Sequence, residues 1–204
     1  NNAFDGAEHL YVNAANPQVA NAAIASGAKN VTLNLHFLDD SEDVLDGSTF
    51  EIPSSAESFE LNGNDRTFNG LKIDSEAGET ILNKINIVGS ESLPVKLASS
   101  KITLNQSSIS SPGIALAVTS PTAEIGLRGT TTISSSTDNA MICRSINLYE
   151  TASNVVGKLS VPQKLLTCGS IGGMSYLQCA NVVTISEDEF ETLLKTGGSY
   201  KVVF

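Results

Sequence analysis

A short apolar-x-apolar unit recurs along this chain with no long helix between its copies: Ile85-Asn86-Ile87, Ile102-Thr103-Leu104, Ile125-Gly126-Leu127 and Ile146-Asn147-Leu148. The steps from 102 to 125 and from 125 to 146 are nearly equal and fall within the range of solenoid repeats. Alternation over so few residues predicts a strand with one face buried, and recurrence at this period predicts a solenoid. A second strand position in each coil is read at Val95 and Leu97, at Ile114, Leu116 and Val118, and at Ile142. Stacked in register, two such strand lines form a parallel β-helix. A β-sandwich is the alternative, since it also strings short strands between turns, but it gives no reason for the longer repeat.

The ends of the chain have another character. Asn16-Pro17 is a good N-cap and first helical residue, and Val19, Ala22, Ala23 and Ile24 follow at helical spacing, so a helix is predicted at about 17–26 with Gly27 ending it. Val31, Leu33, Leu35 and Phe37 then alternate as a strand. Near the other end, Ser186-Glu187-Asp188-Glu189 reads as a capping box before Phe190, Leu193 and Leu194, which predicts a helix at about 187–195. Capping segments of this kind keep the open ends of a solenoid from exposing apolar surface and strand edges. We therefore expect one mainly β domain over 1–204, with an N-terminal cap over 1–47, coils over 48–181 and a C-terminal cap over 182–204.

Composition narrows the function classes. The net charge is -10, with only 12 basic residues, and these are scattered. Nucleic acid and anionic membranes are therefore not the expected partners, because phosphate neutralisation needs clustered Lys and Arg. No apolar run approaches the length of a membrane span. Charged residues make up 17% of the chain, while Ser, Thr and Asn are abundant, a balance that suits a secreted or cell-surface β-protein. The cysteines Cys143, Cys168 and Cys179 lack the paired spacing of a zinc site. They read as buried small side chains, with a Cys143 to Cys168 disulfide as the alternative, since that separation is close to one solenoid turn.

Few side chains carry a chemical signal. Asp39, Asp40, Glu42, Asp43 and Asp46 concentrate hard oxygen ligands before Gly47 and form a candidate Ca2+ loop, although the spacing is not that of an EF-hand and a solvated acidic loop fits as well. Tyr149 and Tyr176 are the candidate ligand-contacting rings in a chain with 5% aromatic residues and no Trp. His36 falls out of phase with Leu35 and Phe37, and His9 precedes a strand, so neither is assigned an acid-base role. The Ser pairs and triplets at 107–111 and 134–136 lack the strand-turn-helix context of a nucleophile elbow.

The run NVTLNLHF from Asn30, with SFELNGNDRTFNGLKID and TILNKINIVGS up to position 90, resembles the opening coils of bacterial right-handed parallel β-helix proteins of the pectin-lyase-like group. That resemblance implies a right-handed β-helix with a helical cap on its first coil. Catalytic members of the group use calcium-binding carboxylates with a Lys or Arg base, or paired Asp residues with His-Gly and Arg-x-Lys motifs. Here His9 precedes Leu10, His36 precedes Phe37, and none of Arg66, Arg128 and Arg144 has Lys two residues later. The expectation is a non-catalytic, monomeric module of a larger surface protein that contacts a polysaccharide or another protein, with no cofactor except the candidate Ca2+. A lyase-like polysaccharide enzyme and a purely structural spacer are the alternatives.

Overall fold

In the computed structural model, residues 7–35, 45–145, 147–162, 167–168 and 176–196 are described. They form a parallel β-solenoid of about six turns with two short helices. No helix among them is long and apolar enough to cross a membrane.

Every strand pairing among the described residues is parallel, which replaces the β-sandwich alternative, a fold built from antiparallel sheets. The strands stack in three lines, one more than the sequence suggested. Face A comprises β1 (His9–Asn13), β2 (Asn30–Asn34), the first part of β4 (Ser58–Asn69), the first part of β6 (Glu79–Val88), β8 (Lys101–Asn105), β11 (Glu124–Arg128) and the start of β13 (Asn147–Val161). Those segments begin at 9, 30, 58, 79, 101, 124 and 147, so the coils follow at nearly even intervals except for one longer step, from 30 to 58. The short β14 (Thr167–Cys168) continues the line beside β13. Face B holds the later parts of β4 and β6, then β9 (Ser108–Ser111), the start of β12 (Thr132–Cys143) and the middle of β13. Face C runs from β3 (Thr49–Ile52) through β5 (Lys72–Ser75), β7 (Val95–Leu97) and β10 (Leu116–Val118) to the ends of β12, β13 and β15 (Tyr176–Thr184).

The third line was hidden by the corner between faces A and B, which takes one residue at its tightest. Lys84 turns the chain there with φ 49°, and Gln106 and Gly129 do the same in the next two coils. Neither Lys nor Gln signals a turn in sequence, since the left-handed region costs an ordinary residue of order 1 kcal/mol and is usually left to Gly or Asn. Two strands therefore read as one. As a result the copies of the apolar unit are not equivalent. Ile102 and Ile125 do stack on face A, but Leu148, not the position of Ile146, lies opposite Ile125. Ile85-Asn86-Ile87 belongs to face B, where Ile87 stacks on Ile109.

Inward positions form mainly apolar stacks, interrupted on face A by the buried Thr80 between Phe59 and Ile102. On face A, Phe59, Leu61, Leu82, Ile102, Leu104, Ile125 and Leu127 are fully buried. Each such side chain contributes about 1.5–3 kcal/mol of burial free energy. Polar groups within the corners are paired among themselves: Thr80 Oγ1 lies 2.8 Å from Ser75 Oγ and 2.7 Å from Ser99 Oγ. Cys143 is free, buried and on face C, whereas Cys168 continues face A, so one turn does not stack the two and the disulfide alternative fails. Burial pushes the Cys143 thiol far up from its ordinary pKa, which leaves it unreactive.

The first helix, α1 (Pro17–Ile24), is capped by Asn16, whose carboxamide accepts from the Val19 N–H at 2.9 Å. It buries Ala20, Ala23 and Ile24 against the first coil and contacts β1, β2 and β3. The second, α2 (Glu187–Thr196), begins at Ser186, whose hydroxyl accepts from the Glu189 N–H as the capping box predicts. Its buried Phe190 and Leu193 meet Ile114, Ala117, Ile142 and Ile185. On β10 and β12 the neighbours Leu116, Val118, Met141 and Cys143 belong to the main core, so Ala117 and Ile142 point outward. Those contacts put α2 on the flank of the solenoid, where the sequence had suggested an end cap.

Candidate functional site

Outside the core, the described surface holds three arrangements of polar side chains. The first is a groove on face C beside α1. Two adjoining depressions of about 420 and 470 Å³ share Glu51 and Pro53. Their apolar parts come from Ile24, Ile52 and Pro53, and their acidic rim is Glu51, Asp74 and Glu76. Glu51 and Asp74 are register partners on β3 and β5, and Lys96 on β7 is the next partner, with its Nζ 3.7 Å from Asp74 Oδ2. Carboxylates one rung apart can accept hydrogen bonds from a hydroxylated or amine-bearing ligand, and the lysine holds one of them in place.

The second arrangement is a carboxamide ladder at the end of face A. Asn62 Nδ2 donates to Asn34 Oδ1 at 2.7 Å, Asn83 Nδ2 to Asn62 Oδ1 at 2.9 Å, and Asn105 Nδ2 to Asn83 Oδ1 at 3.2 Å. All four residues are half-buried, so each amide keeps an outward side. Asn83 and Asn105 come directly before the left-handed residues Lys84 and Gln106, and Asn62 stands two positions before the left-handed Asn64. The ladder thus ties the corners of successive coils together. Gly63 lets the corner after Asn62 pass: a Cβ there would lie 2.6 Å from both Ile85 Cβ and the Lys84 carbonyl oxygen.

The third is a set of ion pairs between rungs. Lys29 lies between Glu8 and Glu57 at 3.8 and 3.7 Å, and Lys101 reaches Glu79 at 3.8 Å. Lys72 pairs with Glu91, and this hydrogen bond and the positive charge lower the Glu91 pKa below the ordinary carboxylate value. Arg144 reaches Glu187 and Glu191 on α2 and covers the Phe190 ring at 4.6 Å from its centroid.

Of the candidate calcium ligands, Asp39, Asp40, Glu42 and Asp43 lie outside the described residues. Asp46 is described, and its Oδ1 accepts the Asn69 N–H at 2.7 Å, which is the work of a corner cap. Among the described residues no three His, Cys, Asp or Glu side chains gather as metal ligands. His36 is outside the described residues, as are the side chains of Tyr149 in β13 and Tyr176 in β15. The exposed ring that the structure does place is Tyr11, 68% exposed and stacked on His9 with centroids 5.0 Å apart.

Sequence reasoning missed Glu51, Asp74 and Lys96. The signal was their spacing, which in both steps is the length of one coil. No family model, curated protein or solved structure matches this chain.

Proposed function

We propose that the chain is a non-catalytic β-solenoid module of a secreted or cell-surface protein, and that it contacts an extended polymer, glycan or protein, through its outward rungs. The resemblance to pectin-lyase-like β-helix proteins of bacteria belongs to the same reading. The observation that carries it is the carboxamide ladder: identical polar groups recur on four successive coils, about 4.8 Å apart as in any sheet. A polymer with a repeating polar edge meets such a surface with many individually weak hydrogen bonds, each contributing of order 1 kcal/mol. The test is binding of the purified chain to arrays of polysaccharides and cell-surface proteins. Blank arrays would reject the contact reading in favour of a spacer.

One observation favours a second reading, a polysaccharide-active enzyme. Three carboxylates from two adjacent coils, Glu51, Asp74 and Glu76, line the groove on face C, and Lys96 on the next coil pairs with Asp74. Acid-base chemistry on a glycosidic bond needs carboxyl groups at a set separation across the sugar, and a lyase needs a base beside the acidic ring. A depolymerisation screen with and without Ca2+ separates the two. Sugar release that Asp74→Asn abolishes would overturn the non-catalytic reading.

A further inference from the structure

Face B differs from the other two in its electrostatics. Its outward residues form two rows in register, Thr67, Asn86, Ser108 and Thr132 in one, and Asn69, Val88, Ser110, Ser134 and Val156 in the other. Apart from Arg66, which opens the first rung, the face B segments 66–69, 85–88, 108–111, 132–135 and 154–156 contain no charged residue. Faces A and C carry Glu60, Glu79, Lys101 and Glu124, and Glu51, Asp74 and Lys96, respectively. In a chain with net charge -10, a side whose single charged residue stands at its edge is a segregation of charge. Charged side chains are the usual guard of solvent-facing strands against unwanted contacts, and the four rungs of face B after the first lack them.

The chemistry of this side is that of hydroxyls and carboxamides with two exposed methyl clusters. Ser108 Oγ donates to Asn86 Oδ1 at 2.7 Å, and Asn86 Nδ2 donates to the Asp65 carbonyl at 3.1 Å, so hydrogen bonds hold the middle of the first row in place. Val88 is 42% exposed and Val156 53%, two of the few large apolar side chains left in solvent. Rungs repeat at about 4.8 Å and the rows lie roughly 6.6 Å apart, so hydroxyls, carboxamides and valine methyls recur on a regular spacing.

We infer that face B is a binding surface for a neutral polysaccharide. This inference rests on the contact reading and adds the face and the ligand class. A polyanion finds no cation here beyond the edge and is repelled by the chain's net charge, and a basic peptide finds no carboxylate. A second copy of the chain would bury only Val88 and Val156 as large apolar groups, less than the apolar centre that a stable dimer uses. A neutral glycan meets both features: its hydroxyls exchange hydrogen bonds with Ser, Thr and Asn, and its C–H faces rest on the valine methyls.

The experiment is co-sedimentation of the chain with insoluble cellulose, insoluble β-1,3-glucan and cross-linked polygalacturonate, at low and at high salt. The expected result is retention on a neutral polymer that salt leaves unchanged, because no ion pair is screened. The double variant Ser110→Lys with Ser134→Glu places an opposite-charge register pair in the middle of the face, and retention should fall by about tenfold or more, since the polymer cannot pair buried charges. The isosteric Val88→Thr, which leaves the core untouched, should weaken retention less. Glu124→Gln, on face A, should leave retention unchanged. Retention on polygalacturonate, or retention on a neutral polymer that the double variant does not alter, overturns the inference and leaves the contact reading standing. Retention of nothing, with the array binding also blank, overturns both. A concentration-dependent dimer in sedimentation equilibrium that the double variant abolishes assigns the face to a second copy and overturns the inference.

Discussion

Along face C the outward position changes character between β7 and β10. In the early coils it is occupied by Glu51, Asp74 and Lys96, which stand in solvent around an open groove. In the later coils it is occupied by Ala117 and Ile142, which α2 covers with Phe190 and Leu193. The backbone is the same parallel rung in both, and the inward residues of β3, β5, β7, β10 and the end of β12 are apolar in both apart from Ser75. The difference lies in whether the flank is a surface or a second, smaller core. A solenoid has approximately nearest-neighbour energetics, so a patch of this kind strengthens the coils it touches and not the whole stack.

The contrast breaks first at Phe190. Replacing it with Ala removes a fully buried ring and the surface under Arg144, and we expect a loss of about 3–5 kcal/mol in denaturant unfolding. Hydrogen exchange should show the loss concentrated at β10, β12 and α2. Protection that fell equally at β3 and β5 would mean that the two halves form one cooperative unit. Next in size is Gly63→Ala in the early coils. Its Cβ meets backbone as well as Ile85, so neither neighbour yields easily, and a cost of about 1–3 kcal/mol is expected in the same assay.

Asn83→Ala should follow at about 1–2 kcal/mol, because it removes one ladder bond on each side and the bond from Asn83 Nδ2 to Glu60 Oε1, whereas Asn105→Ala removes one ladder bond only and should cost less. Equal losses for the two would show that the ladder does not act through its pairwise bonds. Lys96→Ala, on the solvated part of face C, should change stability by less than about 1 kcal/mol, as exposed ion pairs usually do. The smallest effect concerns Glu91. Its folded pKa is depressed, so its pairing with Lys72 stabilises the fold above the unfolded carboxyl pKa, and that stabilisation is lost as pH falls through the folded value. In Lys72→Gln the Glu91 carboxyl should titrate at higher pH by NMR, and an unmoved titration would show that the lysine is not the cause.

What the sequence made legible followed from local rules. Phe59 and Leu61, or Leu116 and Val118, announce an inward face by alternation, and Asn16-Pro17 and Ser186-x-x-Glu189 announce two helix starts. What stayed hidden depended on register. Lys84 looks like an ordinary strand residue, so the turn it makes, and with it face B, is invisible before the coils are stacked. Ile142 reads as core because it is apolar, and it is core, but of the outer cluster. Glu51 and Asp74 are far apart in sequence and become neighbours only at a coil length that the longer step from 30 to 58 obscures.

The carboxamide ladder has a direction. In all three bonds the later coil donates and the earlier coil accepts. Each inner carboxamide of the row, Asn62 and Asn83, therefore donates to the coil before it and accepts from the coil after it. Over these four coils the dipoles of the side-chain amides point the same way along the stack, so each bond polarises the next in the row and a slip of one coil's register would interrupt the whole chain of bonds.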